Sequence, residues 1–396
     1  MERRPGFGRK RERLEALLTG GAAASPPPPA VVVIGAGIAG ASLVRAFALA
    51  GVEARVFDAS GVGAGASGGP AALAAPRLDA GLGPAAALFA QAMRCCAAAY
   101  ADTPGAIIAR GAVQIEAGPK DARRFAAIAG SDLFETGATA LLDGPTASRR
   151  LGESAPPGLD IDPAVVVDPG MLLPAWLPEV SRRAVAEARA CAEGWRLVGA
   201  DGETIATADI VCVAAGMASA SLAPGLVLTP VRGQASWSEA VSWPAATLYG
   251  GYVIPTRDGV LFGATHDRDD EGADIRDEDQ ARNLAALSAV LPVLAARLEG
   301  HPLKARAGVR ATTRDYLPLA GAVGPDRPGL YVLTGLGSRG YCLAPLLAEH
   351  VAARALGTAS PLPTPLADLV DTERFARRLA RKGRPEKDPA GSGARR

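Results

Sequence analysis

The strongest constraint on this chain is a short apolar run that ends in a Gly-x-Gly-x-x-Gly turn. The run is Val31–Ile34, four β-branched residues, and the turn begins at Gly35. The residues that follow, as far as Leu49, place apolar side chains at helical spacing, so the pattern predicts a strand, a tight turn and a helix. Gly37 would let the main chain approach a pyrophosphate, and Gly40 would let the helix pack closely on the strand.

This turn predicts a dinucleotide-binding site. The first helical residues, Ile38 and Ala39, would present free backbone N–H groups and the positive end of the helix dipole to a phosphate. A second strand over residues 54–57 ends at Asp58, and a carboxylate at about this distance usually binds the ribose hydroxyls of an adenosine. A glycine pattern alone is weak evidence, so the prediction depends on the flanking strand, the helix and Asp58.

Composition narrows the class of protein. The chain has 396 residues, of which 48% are hydrophobic and 21% charged, enough for one large or two interleaved domains. No apolar run reaches membrane-spanning length and no signal-peptide core follows the basic start, so we expect a soluble, cytoplasmic protein. The five cysteines and three histidines lack the spacing of a zinc site or a disulfide framework, so we expect no metal.

Basic residues crowd both ends of the chain, although its net charge is only +1. Residues 1–20 form one basic segment, residues 21–30 a proline-rich linker, and residues 359–396 a basic tail. Such ends either attract a polyanion or form solvated, partly disordered tails. Because almost nothing precedes the linker, we expect the chain to begin inside what is elsewhere a longer protein.

Two further segments have patterns typical of ligand contact. Residues 61–70 are too rich in glycine for regular structure, and they include Ser67; such loops let the backbone approach a ligand. Residues 210–213 form a buried apolar strand that leads to Ala215 and Gly216. This strand resembles the first one, so we expect the two to be parallel neighbours in one sheet.

The pattern changes at Val231 to short strands with the alternation of an antiparallel sheet. We interpret these strands as a separate substrate-side layer, followed by a helix over residues 281–298. The last block returns to a strand over residues 329–335, a loop and a helix. The loop residues that precede this helix are Gly337, Ser338, Arg339 and Gly340.

A second helix N-terminus beside a glycine-rich loop implies a large anionic ligand. A flavin needs two such sites, one for its pyrophosphate and one for the charge that develops on its pyrimidine side during reduction. We therefore expect a flavin dinucleotide, FAD. The alternative is an ordinary strand–helix turn.

The order of these motifs resembles the FAD-dependent D-amino acid oxidase family. The segments that carry the resemblance are the Gly35 turn, residues 214–216, residues 306–315 and the loop after Gly335. Within that family, residues 337–349 are similar to the oxidoreductase half of bifunctional proteins that make 5-methylaminomethyl-2-thiouridine in tRNA. Residues 4–12 resemble the last residues of the methyltransferase half of those proteins.

The resemblance implies an α/β fold. A Rossmann-like FAD-binding domain with a discontinuous parallel sheet would carry an inserted, mainly antiparallel substrate domain. The FAD-binding domain would comprise residues 31–110, 166–230 and 305–358. The substrate domain would comprise residues 111–165 and 231–304, and residues 1–20 would be a remnant of the methyltransferase half.

The resemblance also implies an activity, oxidative removal of the carboxymethyl group from 5-carboxymethylaminomethyl-uridine at the tRNA wobble position, with glyoxylate as the second product. Arg310 would grip the substrate carboxylate, since a guanidinium pairs with both oxygens. The alternative for Arg310 is a structural ion pair with Asp315 or another acid. Tyr252 would line the flavin site or pack in the core, and Arg339 would bind a tRNA phosphate or cap its loop.

Other features leave rival interpretations open. No cysteine lies in residues 311–315, so we expect non-covalent FAD. Residues 68–72 offer almost only backbone where the family has larger polar side chains, which puts flavin positioning there in doubt. One rival is a free amino-acid or sarcosine-type FAD oxidase, and another is a non-catalytic flavin- and RNA-binding subunit. If the protein is the tRNA-modifying enzyme or the RNA-binding subunit, a separate methyltransferase would supply the missing half.

Overall fold

A computed structural model describes residues 27–78 and 82–382. The basic segment 1–20, most of the linker 21–30 and the end of the basic tail lie outside the described residues. The strands are β1 Val31–Ile34, β2 Ala54–Phe57, β3 Ala72–Ala74, β4 Ile107–Ile115, β5 Thr139–Leu142, β6 Gly158–Val167, β7 Glu187–Cys191, β8 Gly194–Val198, β9 Thr204–Ala208, β10 Ile210–Val213, β11 Thr229–Ser238, β12 Ala246–Leu248, β13 Tyr252–Pro255, β14 Val260–Gly263, β15 Asp267–Arg268, β16 Lys304–Thr312, β17 Leu319–Ala322 and β18 Leu330–Thr334.

The helices lie mostly on either side of these strands. They are α1 Ile38–Leu49, α2 Pro84–Ala101, α3 Pro119–Ala129, α4 Gly144–Leu151, α5 Pro169–Trp176, α6 Ser219–Leu222, α7 Asp277–Ser288, α8 Pro292–Leu298, α9 Gly340–Leu356, α10 Thr364–Val370 and α11 Arg374–Lys382, with short 3₁₀ turns at Gly216–Ala218 and Gly337–Arg339.

Five of the described strands form a nucleotide-type sheet in the order β17-β18-β10-β1-β2. The strands β18, β10, β1 and β2 are parallel, and β17 is an antiparallel edge strand. Strand β10 pairs with β1, as predicted, because both are apolar runs buried on two faces. One face packs on α1, α2 and α9, and the other on the small antiparallel sheet β7-β8-β9.

A larger, mainly antiparallel sheet lies beside it, in the order β15-β11-β14-β13-β12-β4-β6-β3, with β16 also paired to β11 and β5 to β6. Only the β12–β4 contact among these described strands is parallel. Helices α7 and α8 cover part of one face through an apolar cluster. The fold predicted from the sequence, a discontinuous parallel sheet carrying an inserted antiparallel one, is therefore confirmed.

Two details differ from the expectations. The helix expected over 281–298 is two helices, because Pro292 lacks the N–H that a continuous helix needs and begins α8 instead. Strand β16 pairs along its length with β11, so residues 305–312, expected in the FAD-binding domain, lie in the larger sheet. The same holds for residues 72–74, 107–110, 166–167 and 229–230. Nothing local in a strand indicates which sheet it joins, and the remaining domain boundaries stay predictions.

The described part of the basic tail is folded. Helices α10 and α11 pack back onto the chain, and Arg374 is only 3% exposed. Its guanidinium donates to Asp315 at 2.8 Å and to the Leu317 carbonyl at 2.6 Å, and Arg378 also pairs with Asp315 at 2.7 Å. The expectation of a solvated or polyanion-binding tail is therefore wrong for Arg374, whose charge is used inside the protein.

Candidate active site

A cavity of about 900 Å³ lies between the two sheets. It brings together the carboxyl ends of β1, β10 and β18, the glycine-rich loop 61–70 and one face of β11, β13 and β16. The predicted site residues that line it are Gly35, Gly37, Ile38, Ala39, Asp58, Ser67, Ala215, Gly216, Tyr252, Arg310, Gly337, Ser338, Arg339 and Gly340. Residues from distant parts of the sequence thus share one wall.

The first glycine turn is closely packed. A Cβ on Gly40 would lie 1.9 Å from the Gly35 carbonyl oxygen, so this residue allows helix and turn to touch, as predicted. Gly35 has φ +114°, and a Cβ there would lie 2.4 Å from the Ala214 carbonyl oxygen. A Cβ on Gly37 would lie 2.9 Å from the Ser67 hydroxyl, so any residue other than glycine would fill the space between the turn and Ser67.

Asp58 is held in a fixed orientation at the end of β2. One carboxylate oxygen accepts the Ala36 N–H at 2.8 Å, and the other accepts the N–H groups of Ser60 and Gly61 at 2.9 Å. A carboxylate has about four acceptor positions, so about one remains for a ligand hydroxyl. This geometry fits the ribose contact predicted for Asp58.

The two helix N-termini meet in the cavity wall. A Cβ on Gly340, at the start of α9, would lie 3.2 Å from Ile38 at the start of α1. Ser67 accepts the Ile38 N–H at 3.0 Å, and Tyr341 donates to the Ser67 carbonyl at 2.5 Å. The Ile38 N–H, expected to be free for a phosphate, is therefore taken by the Ser67 side chain. The glycine-rich loop contacts both termini, and the positive ends of both helix dipoles act on one cavity.

Arg339 contributes to this wall from the short 3₁₀ turn that precedes α9. Its guanidinium donates to the Ala75 carbonyl at 3.2 Å, and burial lowers its pKa, an effect that the charge of Arg77 adds to. Within residues 27–78 and 82–382, no carboxylate lies within the 4.0 Å of an ion pair. Arg339 therefore holds the backbone at Ala75. The ligand contact predicted for Arg339 stays a prediction.

Arg306 is a site residue that sequence reasoning missed. Its guanidinium donates to the carbonyl oxygens of Gly63, Ala64 and Gly65 at 2.9, 2.7 and 3.1 Å. The glycine-rich loop 61–70 is therefore held through its backbone. The available signal was the alternation of β16, since residues 306 and 310 lie on the same face of a strand.

Arg310 lies further along β16 with its guanidinium over Gly233 of β11, where a Cβ would be 2.1 Å from Nη2. It donates to the Thr265 carbonyl at 3.4 Å. No carboxylate of the described ranges lies within 4.0 Å of it, and Asp315 pairs with Arg374 instead. The expected alternative, an Arg310–Asp315 ion pair, is therefore wrong.

The surroundings of Arg310 are polar and partly buried. Burial lowers the pKa of Arg310, whereas Tyr252 and Asp267 raise it. Burial raises the pKa of the Tyr252 hydroxyl, and the Arg310 charge lowers it. Partial burial and the charges of Arg310 and Arg268 lower the pKa of His266, so this imidazole is neutral at pH 7.

The described residues contain no cluster of three or more metal-ligating side chains. Of the helices over the same residues, none is long and apolar enough to cross a bilayer. The five cysteines, all of them described, carry free thiols. What the cavity offers is backbone N–H groups, one oriented carboxylate and several guanidinium groups, a set suited to an anionic ligand rather than to a metal ion.

The comparisons with known proteins agree with this geometry. The profile of a family described as FAD dependent oxidoreductase matches residues 30–354. The chain is 53% identical over 381 residues to the tRNA 5-methylaminomethyl-2-thiouridine biosynthesis bifunctional protein MnmC of Caulobacter sp. strain K31, covering 96% of this chain and 63% of that protein. It is 51% identical over 373 residues to the protein of the same name from Caulobacter vibrioides, covering 94% and 62%.

The fold has solved relatives at lower identity. The crystal structure of glycine oxidase from Geobacillus kaustophilus matches with a TM-score of 0.72 at 22% identity, over 86% of this chain and 98% of that one. This likeness concerns the fold alone. The chain spans a little under two thirds of the length of the two curated Caulobacter relatives.

The residues present fit an FAD. The space at Gly37 that a Cβ would fill lies at a helix N-terminus, a position suited to a pyrophosphate, and the spare acceptor position of Asp58 suits a ribose. The cavity continues from there to the second helix N-terminus at Gly340 and to β16. With its profile match over residues 30–354, this chain belongs to the FAD dependent oxidoreductase family.

Proposed function

We propose that this protein removes the carboxymethyl group from 5-carboxymethylaminomethyl-uridine, or its 2-thio form, at the tRNA wobble position. The products would be the 5-aminomethyl nucleoside and glyoxylate. The observation that carries the proposal is Arg310, a guanidinium in the cavity wall with no acidic partner within 4.0 Å among the described residues. The printed name of the relatives, which act in 5-methylaminomethyl-2-thiouridine biosynthesis, supports the choice of substrate.

Arg310 suits a substrate that ends in a carboxylate. Its planar guanidinium can donate two parallel hydrogen bonds, which fixes both the position and the rotation of the carboxylate. The partner strand carries Gly233 beneath it, so the guanidinium lies close to the sheet and leaves the cavity free above. Holding an N-carboxymethyl arm in this way would determine which C–H bond points into the cavity.

Bound FAD would supply the two-electron oxidant for the C–H bond beside the substrate amine, after which water hydrolyses the substrate imine to the amine and glyoxylate. The chain would supply binding and orientation. Arg306 would fix the loop 63–65, Tyr252 would close one wall, and His266 would line the cavity near Arg310. The FAD would be held without a covalent bond.

The product amine sets the next reaction. A 5-aminomethyl group becomes 5-methylaminomethyl by N-methylation, so a methyltransferase must consume this product wherever the modification named for the relatives is made. We propose that a methyltransferase acts after this chain. A tRNA substrate also accords with the cytoplasmic location predicted from the sequence.

The test is anaerobic mixing of the yellow protein with tRNA that carries 5-carboxymethylaminomethyl-uridine. We expect flavin bleaching and release of glyoxylate, and a loss of at least about 30-fold in kcat/KM for Arg310→Gln, the effect of removing one partner of a buried charge pair. Arg196→Gln, an exposed arginine on β8, is the matched control. Turnover of glycine or sarcosine without turnover of tRNA, or a flavin that no substrate bleaches, would overturn the proposal.

A further inference from the structure

An aromatic side chain stands exposed on the Arg310 side of the larger sheet. Tyr316 lies in the turn between β16 and β17 and is 45% exposed, the one aromatic among the exposed large apolar side chains of residues 27–78 and 82–382. The Arg268 guanidinium donates to its hydroxyl, and the guanidinium carbon lies 5.4 Å from the ring centroid. We call these two residues the Tyr316–Arg268 pair.

Strand register places this pair close to the proposed carboxylate site. Val231 of β11 lies opposite Arg268 on one side and opposite Arg310 on the other. Directly opposite residues share a face of the sheet, and two strand spacings are about 10 Å, so Arg268 lies roughly that far from Arg310 across the sheet. His266, two residues before Arg268, lines the cavity itself.

The backbone holds Tyr316 outward at a cost. Its φ is +58°, a conformation unfavourable for a bulky residue, and its N–H donates to the Thr313 carbonyl at 3.2 Å. The neighbouring Asp315 is tied to the folded tail by Arg374 at 2.8 Å and Arg378 at 2.7 Å. The turn is therefore anchored at Asp315, and the Tyr316 ring stays exposed.

Two arginine charges near the pair are available to an anionic partner. Within the described residues, Arg268 contacts a hydroxyl rather than a carboxylate, and Arg314 beside the turn is exposed. Three carboxylates of the acidic segment 267–274 are taken up by arginines, whereas Asp269 and Glu271 form no ion pair within the described residues. These ion pairs are Asp267 with Arg282, and Asp270 and Asp274 with Arg276.

We propose that the Tyr316–Arg268 pair is a stacking platform for an unpaired nucleobase beside the wobble uridine in the anticodon loop of tRNA. The inference rests on the proposed function. A wobble uridine whose arm reaches Arg310 must leave its stack, so the adjacent base loses a neighbour. Proteins that bind single-stranded RNA replace such contacts with tyrosine rings and arginine planes.

The test compares an anticodon stem-loop RNA carrying 5-carboxymethylaminomethyl-uridine with the free modified nucleoside. Tyr316→Ala and Tyr316→Leu should each weaken stem-loop binding about tenfold, the effect of losing one base–aromatic stack. Tyr316→Phe should retain most of the affinity, and Arg268→Gln should weaken binding and flatten its salt dependence. Arg196→Gln is the control for a lost surface charge. Flavin content and thermal unfolding establish that each variant is folded.

The two substrates separate this inference from the proposed function. If wild-type protein oxidises neither RNA nor nucleoside, the proposed function fails and this inference fails with it. If wild-type protein oxidises the stem-loop while Tyr316→Ala and Tyr316→Leu bind it as tightly as wild type does, the inference alone is overturned. Support requires a loss of stem-loop affinity with unchanged kcat/KM for the nucleoside, because a purely structural tyrosine would affect both substrates.

Discussion

Substitution of Gly233 by alanine tests the placement of Arg310 without changing its charge. The new Cβ would lie 2.1 Å from Nη2 of Arg310 and 2.4 Å from Cζ. Ordinary contact begins near 3.4 Å, so the guanidinium must move by at least about 1.3 Å. Gly233 has no positive φ, so the backbone accepts alanine and the effect falls on the arginine.

The expected result is a large loss of activity with cofactor binding intact. A displacement of about 1 Å in a positioning group costs on the order of 100-fold in rate, which corresponds to about 2.7 kcal/mol of transition-state stabilisation. We therefore expect kcat/KM for the carboxymethylaminomethyl substrate to fall about 100-fold in Gly233→Ala. The rate of anaerobic flavin bleaching, measured by stopped flow over a range of substrate concentrations, reports it directly.

A matched variant controls for the added methyl group. Gly118 also lacks a positive φ, and a Cβ there would meet nothing within 4 Å, so Gly118→Ala should behave as wild type. Flavin content should be equal in all three proteins, since Gly233 lies on β11, away from the phosphate-binding turns. If Gly233→Ala reduces its flavin at the wild-type rate, Arg310 does not position the substrate where we place it.

Other perturbations have equally definite outcomes. Gly40→Ala would place a Cβ 1.9 Å from the Gly35 carbonyl oxygen, backbone against backbone, so it should abolish flavin binding and lower the melting temperature. Arg374→Ala should lower the free energy of unfolding in urea by about 3 kcal/mol, because it removes a buried ion-pair partner from Asp315. Burial alone would raise the pKa of Asp315. The hydrogen bond and charge of Arg374 outweigh this effect and hold the pKa well below its usual range. The stabilisation is therefore present above the ordinary carboxyl pKa of about 3.9 and is lost as pH falls below it, so wild-type protein should lose more stability in acid than Arg374→Ala does. Burial raises the pKa of Cys95 to about 12, so iodoacetamide at pH 8 should label this thiol far more slowly in folded than in unfolded protein.

The parts of the site that sequence predicted well are those determined by neighbouring residues. A strand, three glycines and a helix follow one another within residues 31–49, so the turn and the roles of its glycines could be derived locally. Residues 31–34 and 210–213 are both continuous apolar runs, which predicts that the two strands are neighbours in one sheet. These features need no knowledge of distant contacts.

The parts that sequence missed depend on distant pairs. Arg306 binds carbonyl groups more than 240 residues away, and Arg374 binds an acid 59 residues away. The alternation of β16 could have put Arg306 on the face of Arg310, but the partners of Arg306 and Arg374 leave no pattern in the chain, because an arginine that braces a loop has the same sequence neighbours as one that faces solvent. Pro292 is different, because its missing N–H is visible in the sequence. That signal would have divided the single helix that we expected over residues 281–298.

Strand β16 links the two halves of the proposed chemistry. Residues 306–311 all line the cavity, and strand periodicity puts the side chains of Arg306 and Arg310 on the same face, with four residues of strand spanning about 13 Å. At one end Arg306 holds the loop that contacts both helix N-termini, and at the other Arg310 is free to bind a carboxylate. Because β16 is hydrogen-bonded to β11 along its length, this separation is rigid. If Arg310 binds the substrate carboxylate as we propose, the distance from that carboxylate to the loop beside the proposed FAD site would be set by this one strand.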